Sequence, residues 1–562
     1  MNDLSLRAAQ ALWRLRFALA GIALVATLIA FQGLASLGVS NSLDVWYPED
    51  DPELLNYQAF QETYGSDEII VVAVSGAVDF ATQEGTDVVA ELTDRLLDLD
   101  GVATVTSLVT VPESLAAARG RLLSADGRTT ALVVQTLIGP QIEARRHQLF
   151  LDIRSEVGAL GLAAHLGGYG VVFDGLNEAS TTGAASLIAS AHIVMVILLT
   201  LLFRRLLPVL LTLLAVGVAT TWTMSLYAVT GHQLNMVTMV LPTLVLVIGI
   251  ADCLHVLRSV AAQDPALDRQ AQVTRGIAAI IGPCFLMSVT TAAGFLGLTA
   301  SGLPVVQQLG WFGAVGMLAA FVAAMTLLPA GLTWRRFEPV RSASTLDRAA
   351  VRLFDLGAAR PRLTVAAFGV LMAISIFGVF QLNSDTDSIG YMRKSHVVRQ
   401  DSDFIEAEIG PYVPIEFTVT APGNILEDDY LDAIWAWQRS ATELPEIGWS
   451  WSLLSALSVD ASAMPSAIGE DNLRVALTRM RRFSPVTAGA MIAGDNELRV
   501  SFGAPIMSAR SVSALIDRIV AEATLPEDLV IRPAGYSPLY TRIVDEIVTS
   551  QVNGFAAAIV LI

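Results

Sequence analysis

Apolar runs and mixed polar segments alternate along the chain. Seven runs reach the roughly 20 apolar residues that a membrane-spanning helix needs: about 17–37, 184–203, 206–229, 236–257, 277–299, 305–329 and 363–382. An eighth begins near 553. Its apolar stretch, Phe555-Ala-Ala-Ala-Ile-Val-Leu-Ile562, is too short to span, so the sequence reads as a longer protein cut after the start of that element. The pattern divides the chain into seven parts: an N-terminal tail and first span (1–37), a first outer domain (38–183), five close-spaced spans (184–332), an Arg-rich linker (333–362), a seventh span (363–382), a second outer domain (383–552) and the start of an eighth span (553–562).

Inside the outer segments the period switches between that of a strand and that of a helix. The first segment predicts strands near 68–75, 102–109, 129–138 and 164–168, with helices near 80–98 and 141–159. The second predicts strands near 414–420, 446–453, 496–503 and 528–532, with helices near 426–441 and 508–523; 455–490 is less regular and reads as an insertion. Both are β-α-β-β-α-β, the ferredoxin-like split motif. They also repeat each other's order. The first opens Asn41-Ser-Leu-Asp44 and passes Tyr64-Gly65 into a strand; the second opens Asn383-Ser-Asp-Thr-Asp387 and passes Ile409-Gly410 into a strand. Near their ends stand Gly168-Tyr169 and Gly535-Tyr536, each leading a polar, helix-prone stretch toward a span. Asp44, Asp385 and Asp387 read as structural by their matched placement, and Trp46, Tyr47, Tyr391 and Met392 as interface anchors or as the lining of a lipid entry. The expected fold is an α-helical polytopic membrane protein with two extracytoplasmic α+β ferredoxin-like (βαββαβ) domains.

Composition narrows the function. Of 562 residues, 53% are hydrophobic, too many for an ordinary soluble enzyme. The formal charge of −18 is concentrated in the outer segments and argues against a nucleic-acid partner. Arginines gather on one side of the spans: Arg7, Arg14 and Arg16; Arg204 and Arg205; Arg258, Arg269 and Arg275; and Arg335, Arg336, Arg341, Arg348, Arg352, Arg360 and Arg362. The positive-inside rule makes that side, and the N-terminus, cytoplasmic. The sequence has no Gly-x-x-x-x-Gly-Lys-Ser/Thr loop and no His-Glu-x-x-His motif, so neither ATP, zinc nor another cofactor is expected. Cys253 and Cys284 fall in apolar runs and read as small buried hydrophobes.

The candidate chemistry lies in the fourth span, Leu246-Val-Ile-Gly-Ile-Ala-Asp-Cys-Leu-His-Val-Leu257. A carboxylate at membrane depth costs about 3 kcal/mol on insertion scales, so Asp252 is expected to face the bundle interior and mark a proton path. His255, three residues on, shares its helical face and is the candidate relay partner. The plainer readings are an interhelical hydrogen bond for Asp252 and an interfacial position for His255, since Arg258 follows three residues later. Ser288, Thr290 and Thr291 lie in the fifth span beside Ala292, Ala293 and Gly294, as a polar path past Asp252 or as plain helix packing. Gly249, Pro242 and Pro283 are the positions where helices are expected to flex. His192 in the second span reads as a core or span-end histidine.

With these features the chain resembles the resistance-nodulation-division (RND) superfamily, with a closer likeness to its MmpL, hopanoid-exporter and Patched-like branches. The likeness covers essentially the whole chain. It rests on the repeated order of span, outer domain and close-spaced spans, on the ferredoxin-like outer segments, and on Gly249-Ile-Ala-Asp252. The outer segments resemble the family's porter-type domains, and residues 184–332 its sterol-sensing domain. The family's fourth span often continues with Asp or Tyr, where Cys253 stands here. The resemblance implies a proton-motive-force-driven exporter of lipids or other hydrophobic compounds, multi-pass in a bacterial inner membrane, and not an enzyme. It further implies a homo-oligomer (dimer or trimer), a periplasmic accessory protein, and polar partners for Asp252 in a tenth span. Two alternatives stay open: a sterol- or lipid-sensing receptor-like membrane protein that does not pump, and an inactive fragment of a transporter.

Overall fold

A computed structural model of the chain describes residues 3–40, 43–112, 116–138, 140–203, 205–333, 345–379, 381, 387, 389–457 and 464–561. Asn41, Ser42, Arg204, Arg335, Arg336, Arg341, Asn383, Ser384, Asp385, Thr386 and residues 458–463 lie outside them, as do the side chains of Asp44 and Arg348. The chain divides into two units. A membrane unit takes Met1–Ser40, Thr182–Ser384 and Val548–Ile562, and an outer unit takes Asn41–Thr181 and Asp385–Ile547.

Among the described residues seven helices are long and apolar enough to cross a membrane: Asp3–Ser36, Leu206–Val229, Thr238–Ala261, Arg269–Ala300, Pro304–Gly331, Pro361–Gly378 and Tyr536–Leu561. The expected second span, 184–203, is the apolar end of the longer helix Tyr169–Phe203. The run near 553 is not a short separate element. It ends the 26-residue helix Tyr536–Leu561, whose polar start, with Arg542 and Glu546, hides it from an apolar count. The bundle core holds Val216, Val245, Met317 and Ala320. Gly249 belongs to that packing: a Cβ there would meet Ala320 Cβ at 3.1 Å and Val216 Cγ2 at 3.3 Å. Its missing side chain lets three helices close up. Pro242 does not bend its helix as expected. It stands in the first turn of Leu241–Ala261, where the absent N–H breaks no helical hydrogen bond. Pro283 is interior to Arg269–Gly297, where it removes one.

The outer unit contains two antiparallel sheets, whose central strands are buried on both faces. The first comprises β1 (Ile69–Ser75), β2 (Val102–Thr106), β3 (Thr129–Thr136) and β4 (Ala163–Gly167), in the order β2-β3-β1-β4. The second is formed by β5 (Val413–Thr420), β6 (Trp449–Ser452), β7 (Ile492–Ala493), β8 (Glu497–Ala504) and β9 (Val530–Ala534), in the order β6-β8-β5-β9 with β7 beside β8. Ile70, Val72 and Val74 turn one way into a core with Leu92, Leu96 and Ile153 from helices Gln83–Leu97 and Pro140–Ala159. Ile415, Phe417 and Val419 do the same with Trp437, Leu515 and Ile519 from helices Asp428–Thr442 and Ala509–Ala521. Their neighbours in sequence, Ile69 and Val71 or Pro414 and Glu416, face the opposite side of each sheet.

Among the helices not expected are Pro52–Tyr64 and Val397–Glu408. Each half of the outer unit lends its helix to the other half. Ile405 packs with Val71 and Ala73, and Asp401 accepts hydrogen bonds from Arg154, His165 Nδ1 (2.9 Å) and Leu166 N (3.2 Å). In the reverse sense, Tyr64 donates to Glu497 at 2.8 Å. The matched Gly168 and Gly535 have φ of +125° and +71°, which glycine adopts without a Cβ penalty. Helices start directly after both, and the Tyr169 and Tyr536 rings meet at 4.2 Å between centroids.

Candidate functional site: a buried carboxyl in the membrane unit and a cavity in the outer unit

Helix Leu241–Ala261 has one carboxyl, and it points inward: Asp252 is 3% exposed. Ser288, from helix Arg269–Gly297, faces it. The Ser288 hydroxyl lies 3.2 Å from Asp252 Oδ2 and 2.9 Å from Cys284 O. Asp252 Oδ1 has no hydrogen-bond partner, and no basic group forms an ion pair with Asp252 among the described residues. One hydroxyl has one proton for two acceptors. With Asp252 ionised, Ser288 must divide its donation between the carboxylate and its own helix. With Asp252 protonated, the carboxyl O–H can donate to Ser288 Oγ while the hydroxyl keeps Cys284 O. One proton therefore separates two hydrogen-bond arrangements between two spans.

None of the other expected polar residues hydrogen-bonds Asp252 among the described residues, though His255 is near enough to act on its charge. His255 is exposed on its helix and makes no hydrogen bond to Asp252 among the described residues. Thr290 and Thr291 both donate to Met287 O, at 3.0 and 2.8 Å, so their hydroxyls serve their own helix. His192 is exposed, with Nδ1 2.7 Å from Ile188 O. Cys253 and Cys284 are buried free thiols.

Sequence reading did not single out the charged core of the outer unit. Glu416, 2% exposed, accepts from Arg499 Nε at 2.8 Å, Arg499 Nη2 at 2.6 Å and Ser501 Oγ at 2.6 Å. The Arg499 guanidinium lies 5.1 Å from the Phe60 ring centroid, in cation–π range. Asp67 is also buried and accepts the Tyr536 N–H at 2.6 Å. Burial first, then the Glu416 charge, pushes Asp67 up to about 6 against the lowering effect of Arg499.

The second faces of both sheets line a cavity of about 320 Å³. Ile69, Val71 and Val133 come from the first sheet, Trp449 and Trp451 from the second, with Tyr412 beside them. Arg121 also lines it; its side chain is exposed, and Nη1 donates to Ser450 O at 3.3 Å. One signal for this cavity is in the sequence. Trp449-Ser-Trp451 on a strand sends both indoles to one face.

A bundle of spanning helices with a buried carboxyl and a doubled ferredoxin-like outer unit together define a multi-pass membrane protein with porter-like domains. The chain belongs to the MMPL family, whose model matches residues 54–354. At family level it is thus an RND-type transporter of hydrophobic substrates. A comparison with curated proteins finds no match.

Proposed function

We propose that the protein exports lipids or other hydrophobic compounds from the inner membrane, driven by the proton motive force. The observation that carries this reading is the Asp252–Ser288 contact, with one carboxyl oxygen on a hydroxyl shared with Cys284 O and the other unpartnered. Protonation of Asp252 exchanges one hydrogen-bond arrangement for the other between two spans, and release of the proton restores the first. An element with two arrangements biased by one proton is what coupling requires. Arg7, Arg14 and Arg16 support a cytoplasmic N-terminus, with the outer unit on the periplasmic side. The apolar cavity of the outer unit serves as the substrate route.

The test is transport by the protein reconstituted in proteoliposomes under an imposed pH gradient, with a fluorescent lipid analogue as cargo. Asp252→Asn is expected to abolish gradient-dependent movement and leave thermal stability near the native value. Native-rate transport by that variant removes Asp252 from the mechanism. Saturable lipid binding with no proton-linked flux in the native protein favours the sensing reading.

A further inference from the structure

We propose that the outer cavity selects amphiphiles carrying one anionic head, carboxylate or phosphate, and that Arg121 reads that head. The inference rests on the cavity being the route of a hydrophobic substrate.

The cavity wall is largely apolar, with Trp449 and Trp451 facing Ile69, Val71 and Val133. A volume of about 320 Å³ suits a single apolar chain, at the lower end of the roughly 300–1,000 Å³ of ligand pockets. Three polar side chains in the wall satisfy one another: Arg499 and Ser501 bond to Glu416, so this cluster offers a ligand no uncompensated charge.

Arg121 differs. A guanidinium has five N–H donors, and the one bond recorded for Arg121 is the 3.3 Å contact to a backbone carbonyl. No carboxylate pairs with it among the described residues, although the chain carries a charge of −18 and other outer-unit arginines, such as Arg154 and Arg542, are paired. A planar cation beside an apolar groove suits a head that accepts two parallel N–H bonds. The tail of the same molecule would lie against the tryptophans. A neutral lipid would leave the guanidinium as it is, and a cationic one would be repelled.

The two indoles supply the readout. The full chain in amphipol is titrated with dibrominated stearic acid, ionised at the working pH, and with dibrominated stearyl alcohol. Bromine quenches tryptophan on contact, and the signal of a Trp449→Phe/Trp451→Phe variant is subtracted. The acid is expected to quench at lower concentration than the alcohol. Arg121→Gln should weaken the acid about tenfold and leave the alcohol unchanged, and Arg121→Lys should retain part of the preference. Equal affinity of acid and alcohol in the native chain, or equal weakening of both by Arg121→Gln, overturns the headgroup assignment while the hydrophobic route stands. Quenching by neither ligand removes this inference together with the cavity as a route.

Discussion

Glu416 in the outer unit and Asp252 in the membrane unit are buried alike, at 2% and 3% exposed, and are served in opposite ways. Glu416 has a guanidinium on both oxygens and a serine hydroxyl besides. Asp252 has one serine hydroxyl, shared with a backbone carbonyl. The first arrangement fits a single charge state. In the second, the protonated and ionised forms call for different hydrogen bonds. Burial alone therefore does not distinguish the two carboxyls; the set of partners does.

The comparison breaks most severely at Arg499. Arg499→Met leaves Glu416 buried without its cation and should cost about 3–5 kcal/mol, read as a large fall in the unfolding midpoint of the detergent-solubilised protein. Adding Glu416→Gln should recover most of that loss, and an unchanged midpoint in the single variant would deny the pair its structural role. Asp67 sharpens the contrast within the outer unit. Burial and the Glu416 charge lift it from 3.8 to about 6, with Arg499 opposing. The folded state then holds more protons than the unfolded state between those values. Its stabilising share is present below about pH 4 and is lost as pH rises through about 6, on the order of 3 kcal/mol. Asp67→Asn should flatten that slope in midpoints measured across the range, and a flat native profile would contradict the assignment. Ser288→Ala should slow gradient-driven transport about tenfold, near the value of one hydrogen bond, and less than Asp252→Asn does. Thr290→Val and Thr291→Val should leave transport unchanged and stability within about 0.5 kcal/mol. A tenfold loss in either would return them to the polar path.

Most strands and helices of the outer unit were legible because each turns an alternating or helical apolar face to its own core. Val397–Glu408 was not. Its buried positions are Val398, Asp401, Ser402 and Ile405, at helical spacing but half polar. Asp401 and Ser402 are polar because their partners, Arg154, His165 and Tyr412, come from elsewhere in the chain. Helix Pro52–Tyr64 does carry a local signal, an N-cap: Asp51 accepts from Glu53 N and Leu54 N, and Pro52 follows it. At the candidate site, the inward face of Asp252 was readable from its apolar surroundings. The separation of Ser288 from Thr290 and Thr291 was not, because it depends on which hydroxyl faces a neighbouring helix.

The Asp67–Tyr536 hydrogen bond spans 469 residues of sequence. The contact between Tyr47 and Leu539 spans 492, and the ion pair of Asp51 with Arg542 joins the same regions. During synthesis the first half of the outer unit is therefore made long before the residues that complete it. It must wait, with Asp67 uncapped and the partner faces of its exchanged helices open, while the spans from Leu206 to Gly378 are made. Such delayed long-range closure is slow, and the waiting surface is prone to association. The exchanged helices thus make the second outer half a folding requirement of the first, and a chain stopped before Tyr536 should be a target for quality control.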